Sequence, residues 1–154
     1  MFSQFLPQRI DNAYRGHRLA LWLFGAVVFM KTSIGLGTIF NGRTAAISAD
    51  AIPLETFPPA AAQAFLSVFA IWGFAQVMIG LLCILALVRY RAMVPFMFAL
   101  LLLEHLGRKL ILYYMPIAKT GTPPGLFINL ALVAAMIVGL VLALRTENHA
   151  QALR

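Results

Sequence analysis

The sequence predicts an all-α integral membrane protein, a four-helix up-down bundle with both termini on the cytoplasmic side. Of its 154 residues, 62% are hydrophobic and only 11% are charged, whereas a soluble domain carries about a quarter charged residues. The apolar residues form four long stretches, and the basic residues are distributed unequally between the segments that connect them. The first observation indicates a membrane environment, the second indicates four spans, and the third indicates their orientation.

The four apolar stretches are long enough to cross a bilayer. They cover residues 19–40, 64–88, 92–115 and 126–144. At 1.5 Å per residue each would extend about 28–38 Å, against a hydrocarbon core of about 30 Å. Backbone polar groups have no water partners in lipid, so these spans must be helical. The connections at 89–91 and 119–125 are short and predict antiparallel neighbours.

Lys and Arg predict the orientation of the bundle. With the N-terminus inside, seven basic residues lie on the cytoplasmic side and two on the opposite side. The first helix has no cleavage site of small residues, so we expect an uncleaved anchor in a bacterial inner membrane. The cytoplasmic residues are Arg9, Arg15, Arg18, Arg89, Arg91, Arg145 and Arg154, and the outer ones are Arg43 and Lys119.

Two further segments flank the spans. Residues 2–17 place apolar side chains at i, i+3 and i+4, which predicts an interfacial helix, although Pro7 interrupts the pattern and leaves a frayed tail as the alternative. Residues 41–63 form the long outer loop. Its apolar side chains are expected to let it lie over the bundle as a cap.

Small residues predict where the helices approach each other. The fourth helix carries Ala131, Ala135, Gly139 and Ala143 at a spacing of four residues. The first helix has Ser33 and Gly37 at the same spacing with Gly35 between them, and the second has Gly73 and Gly80.

Polar residues interrupt three of the predicted spans at one depth. Lys31, Gln76 and Glu104 are each the thirteenth residue of their predicted helix. An ionised side chain at that depth costs at least about 2.5–3.5 kcal/mol, so the three side chains are expected to face each other inside the bundle. Arg108 follows Glu104 at i+4, which makes a carboxylate–guanidinium contact available within one helix. His105 lies beside both.

The charges at this depth do not balance. Lys31, Arg108 and Lys109 face the single acid Glu104. A depressed lysine pKa, Asp50 or Glu55 from the outer loop, an anionic or carbonyl-rich ligand, or an acid of a partner protein would relieve the excess. We therefore expect Lys31, Gln76, Glu104, His105 and Arg108 to bind a ligand. A purely structural network, an ion or proton path and a contact with a partner subunit are the alternatives.

Several classes of site are excluded by residue counts. The single cysteine rules out a disulfide, a Cys-x-x-Cys pair and a cysteine-based zinc site, and no basic cluster indicates nucleic-acid binding. His17 and His149 lie near the cytoplasmic ends, which excludes a bis-histidine haem with His105. No metal site or catalytic motif is recognised, but Glu104 and His105 leave open an enzyme that uses them as acid and base on a lipid.

The stretch 75–103, with a polar residue, a Gly-containing apolar run, a short basic turn and a third apolar helix, resembles the middle of DoxX-like membrane proteins. The first helix, from Arg18 to Lys31, is also similar, although Gln76 stands where the family commonly has an acid. The resemblance implies a four-helix inner-membrane protein that is sometimes tied to quinone-linked redox complexes.

Two functions follow as expectations. The first is a membrane protein whose polar residues bind a quinone-like or anionic lipid head group, with membrane lipids as partners and a quinone or bound lipid as the candidate cofactor. The second is an accessory or assembly subunit of a larger inner-membrane complex, in which the same residues are structural.

Overall fold

The computed structural model describes residues 11–145, which are helical and contain no strand. Three helices, Arg18–Phe40, Pro59–Arg89 and Gly125–Leu144, are long and apolar enough to cross a membrane. The 21-residue helix Val94–Tyr114 extends about 31 Å but carries the three charged side chains of Glu104, Arg108 and Lys109, so length and composition alone do not make it a span. The long helices are α1 (Arg18–Phe40), α2 (Pro59–Arg89), α3 (Val94–Tyr114) and α4 (Gly125–Leu144).

The helix ends follow local chemistry. His17 caps α1, because its Nδ1 accepts a hydrogen bond from the backbone N–H of Leu19 at 3.1 Å. We predicted that α2 begins at residue 64, but it begins at Pro59, since proline is well tolerated in the first turn. The outer loop is therefore 41–58. Two residues of the predicted third helix join a 3₁₀ turn, Arg91–Met93, which precedes α3.

The distribution of side chains is that of a protein in lipid. Large apolar side chains point outward, among them Trp22 at 80% exposure and Phe29 at 71%. Lys31, Gln76 and His105 are buried instead. A soluble protein rarely leaves so much apolar surface exposed, so this arrangement is consistent with a membrane protein.

The closest helix crossing joins α1 and α2. A Cβ atom on Gly73 would lie 2.8 Å from the carbonyl oxygen of Gly35, and a Cβ on Gly35 would lie 2.9 Å from that of Gly73. Thr32 packs directly over Gly80 in the same interface. Gly73 and Gly80 therefore have the predicted role. On α1 it is Gly35 that makes the contact, whereas Ser33 is exposed.

The remaining pairs of helices differ in how closely they pack. The Phe98 ring of α3 packs against Gly139 of α4, and Phe24 of α1 meets Phe98 edge to face at 4.9 Å. Of the predicted small-residue stripe on α4, Gly139 and Ala143 are buried but Ala131 is exposed. The α2–α3 interface is packed far more loosely than the α1–α2 interface.

Two connections meet at the upper end of the molecule, which we define as the end with residues 41–58 and 115–124. Ile52 and Leu54 are buried in an apolar cluster with Phe57 and with residues of the first turns of α2. The carbonyl oxygen of Ala51, a residue with a φ of 57°, accepts hydrogen bonds from the backbone N–H and the hydroxyl of Thr120. The 41–58 loop thus packs against the upper end of α2 and against the 115–124 connection.

The N-terminal segment crosses the lower end, where α1 begins and α4 ends. We expected a helix over 2–17, but the described part, 11–17, is not helical, and residues 2–10 lie outside the described range. His17 N–H donates to the carbonyl of Leu142, and the carbonyl of Asp11 accepts from Ala92 N–H. Gly16 packs against the backbone of Ala143. These contacts with α4 and the α2–α3 turn replace the helical hydrogen bonds.

Candidate functional site

Glu104 lies at the centre of a buried group of polar side chains. Lys31 Nζ of α1 donates to Glu104 Oε2 at 2.6 Å, and Gln76 Nε2 of α2 donates to Glu104 Oε1 at 2.6 Å. The contact with Lys31 is also an ion pair. The prediction that these three side chains face each other is confirmed. We call Lys31, Gln76, Glu104, His105 and Arg108 the polar cluster.

The predicted contact between Arg108 and Glu104 is present, but as a long ion pair without a hydrogen bond. Arg108 Nε lies 3.9 Å from Glu104 Oε1, within ion-pair range but beyond hydrogen-bonding distance. Its Nη2 donates to His105 Nδ1 at 3.1 Å, and its guanidinium carbon lies 4.7 Å from the centre of the Trp72 ring. The physical reason is that donors from α1 and α2 already occupy both carboxylate oxygens of Glu104.

His105 has one ring nitrogen without a partner. A guanidinium can only donate, so His105 Nδ1 accepts and Nε2 carries the hydrogen of the neutral ring. His105 is 1% exposed, and among the described residues nothing accepts a hydrogen bond from Nε2. A buried donor left unsatisfied costs about 1–3 kcal/mol, so this nitrogen marks a position where an acceptor would be stabilised.

The cluster retains a positive charge. Lys31 and Glu104 neutralise each other at 2.6 Å, whereas Arg108 has no comparably close acid in residues 11–145. The side chains of Arg108 and Glu104 are 25% and 20% exposed, so the cluster is partly open on that side. Lys109, the next residue of α3, is exposed.

Neither outer-loop acid hydrogen-bonds to the cluster in the described part of the chain. Asp50 is close enough for electrostatic interaction with Lys119, Arg108 and Lys109. Burial nevertheless raises the pKa of Asp50, and these three basic residues oppose the rise. Glu55 is exposed. Among the described residues, the loop therefore supplies no hydrogen-bonded counterion to the cluster.

A column of aromatic rings connects the outer loop with the cluster. Phe57 meets Phe65 edge to face at 6.3 Å, Phe65 stacks on Phe69 at 5.6 Å, and Phe69 stacks on Trp72 at 5.5 Å. Trp72 then contacts Arg108, an attraction between a cation and the ring face. Sequence reasoning missed Trp72. Its position four residues before Gln76 on the same helix was the available signal.

The arrangement is suited to holding oxygen atoms rather than a metal ion. Arg108 and His105 Nε2 are donors, and residues 11–145 contain no group of three His, Cys, Asp or Glu side chains that would hold a metal ion. A separate open cavity of about 290 Å³ lies between the upper ends of α1 and α2, where Thr38, Arg43 and Gln63 line part of it. It does not include any residue of the polar cluster.

No family model, curated protein or solved structure matches this chain.

Proposed function

We propose that this protein is a small four-helix protein of a bacterial inner membrane, with both termini on the cytoplasmic side. The three apolar helices and the excess of basic residues at the lower end support this topology. The spanning role of α3 is supported by its polar side chains, because Glu104 and His105 face other helices and not the lipid.

The proposed function is to hold a polar head group, quinone-like or that of an anionic lipid, at the polar cluster. The observation that supports it is the pair formed by Arg108, which retains its charge, and His105, whose Nε2 has no described partner. Both side chains carry donors, and Arg108 Nη2 lies 3.1 Å from Nδ1, the other ring nitrogen of His105. Oxygen acceptors of a head group would satisfy both.

A structural role within a larger membrane complex is the second candidate. It is favoured by Lys31, Gln76 and Glu104, which satisfy each other across three helices without a ligand. The resemblance to DoxX-like proteins favours a redox complex as the assembly that would contain this protein. Recovery of stoichiometric partner subunits from native membranes, with no bound lipid or quinone, is the result that this candidate predicts.

An enzyme acting on lipids has less support. Both Glu104 oxygens accept short hydrogen bonds, which leaves this carboxylate poorly placed to act as the proton acceptor in such a reaction.

Ligand retention tests the head-group function. The protein is purified in mild detergent and extracted with organic solvent, and quinone and phospholipid are quantified per chain. We expect Arg108→Gln to lose most of the retained ligand and Glu104→Gln to lose part of it, while both elute as monodisperse protein. Lys109→Gln is the matched control, because it removes the same charge one residue further along α3 from an exposed side chain.

Two results would contradict the proposal. If Arg108→Gln and Lys109→Gln retain the same amount of ligand as the unmodified protein, the cluster does not bind it. If Arg108→Gln and Glu104→Gln aggregate while Lys109→Gln does not, the cluster is structural.

A further inference from the structure

The charge of Arg108 distinguishes between the two kinds of head group. The ion pair of Lys31 and Glu104 is neutral as a unit, and Gln76 adds no charge. Lys31, Glu104 and Arg108 together therefore carry one net positive charge in a layer where charge is costly. The nearby basic residues Lys109 and Lys119 increase the positive potential around Asp50, the acid on that side.

A neutral carbonyl and an anion would affect this charge differently. Either would accept hydrogen bonds from Arg108 and from His105 Nε2. Only an anion would also neutralise the guanidinium, and the attraction between opposite charges is stronger in surroundings of low dielectric constant than in water. The planar fork of a guanidinium matches the two oxygens of a carboxylate or a phosphate.

The upper part of the α2–α3 interface offers the route to Arg108. These helices are packed loosely, and the described side-chain contacts between them include Gln76 with Glu104 and Trp72 with Arg108. The Arg108 side chain, which contacts Trp72 of α2, is 25% exposed. The acyl chain of a lipid would remain against the apolar outer surface while its head group reaches the guanidinium.

We propose that the ligand of the polar cluster is an oxyanionic lipid of the outer leaflet, bound by Arg108 and by the Nε2–H of His105. This inference rests on the proposed function and narrows it from two head groups to one. Carboxylate and phosphate share the required chemistry, so a fatty acid and an anionic phospholipid are two sources of the same ligand class. Binding moves the guanidinium from Trp72 toward the oxyanion.

Tryptophan fluorescence tests the inference at the site itself. The chain has two tryptophans, and Trp22 is 80% exposed. Trp22→Phe leaves Trp72, which lies 4.7 Å from Arg108, as the reporter. Trp72→Phe leaves Trp22 as the matched control. Each protein, in a neutral detergent, is titrated with two anionic amphiphiles, decanoate and dioctanoyl phosphatidylglycerol. Their neutral counterparts, decanamide and dioctanoylglycerol, are titrated in parallel. Decylubiquinone represents the quinone-like head group, whose carbonyl oxygens are uncharged.

We expect a saturable change in Trp72 emission with at least one anion, and binding roughly tenfold or more weaker for its neutral counterpart and for the quinone. Arg108→Gln in the Trp22→Phe background should abolish the response, and Lys109→Gln should retain it. The Trp72→Phe protein should show no saturable change. Whichever anion binds more tightly identifies the source.

The outcomes separate this inference from the proposed function. If decylubiquinone or decanamide binds at Trp72 as tightly as the anions, the ligand is not selected by charge. That result overturns the inference and supports the head-group function. If the anions act equally on the Arg108→Gln protein, the inference is also overturned. If no amphiphile gives a saturable response and no ligand co-purifies, both proposals are overturned.

Discussion

The α1–α2 and α2–α3 interfaces show two ways of holding helices together in lipid. At the first, glycine brings backbone against backbone, with Gly35 and Gly73 so close that no side chain fits between them. At the second, looser interface, described contacts come from side chains of the polar cluster and from Trp72. Backbone packing has no alternative arrangement without helix separation, whereas side chains can exchange partners. The second interface is therefore the one suited to admit a ligand.

Gly73→Val disrupts the close α1–α2 interface and has the largest expected effect. The new side chain would meet the Gly35 carbonyl, so the helices must separate, at a cost of about 1–3 kcal/mol or more. We expect a lower yield of monodisperse protein and a lower melting temperature by size-exclusion chromatography after heating. Gly37→Val is the control, because Gly37 has no neighbouring atom within 4 Å of its new Cβ. Equal losses in both variants would show that the close crossing is not responsible.

Gln76→Leu tests whether side chains at the α2–α3 interface can exchange partners. Its expected effect is smaller. Glu104 Oε1 loses a donor, but Arg108 Nε lies 3.9 Å away and can take its place, so the loss of stability should be about 1 kcal/mol. Because Arg108 is then occupied by Glu104, ligand retention should fall more than stability does. Measuring both quantities in the same preparation checks this. Retention that stays at the unmodified level would show that Arg108 does not change partners.

Asp50→Asn concerns the loop above the second interface and has the smallest expected effect. Burial raises the pKa of Asp50 in the folded protein above its ordinary value of 3.8. The folded state then disfavours the charged carboxylate. The free energy of unfolding therefore decreases as pH rises from 3.8 to the raised pKa of the folded protein, and Asp50 has no such effect well below pH 3.8. We expect Asn to raise the melting temperature at pH 7 and to have little effect near pH 3. A variant that is less stable at pH 7 would show that the pairing with Lys119 outweighs burial.

Much of the polar cluster could be predicted, because its central residues lie at the same depth in their predicted spans. Lys31, Gln76 and Glu104 lie at equal positions in their predicted helices, and the high cost of charge in lipid leaves them few arrangements other than mutual contact. The partner of Arg108 could not be predicted in this way. The i+4 spacing makes Glu104 available to it, but two donors from other helices are closer, and helical spacing within α3 carries no information about them.

The sequence by itself determined the helical class, the number and approximate positions of the long helices, and the residues that meet at the centre, because apolar length and the cost of buried charge act on each helix separately. The tertiary structure decided which glycine forms the α1–α2 crossing, that residues 11–17 bind across the lower end without forming a helix, and that Arg108 faces His105 and Trp72. These features depend on the rotation of one helix relative to the next. That rotation follows from packing between helices distant in sequence, where several small residues and several donors compete for the same contact.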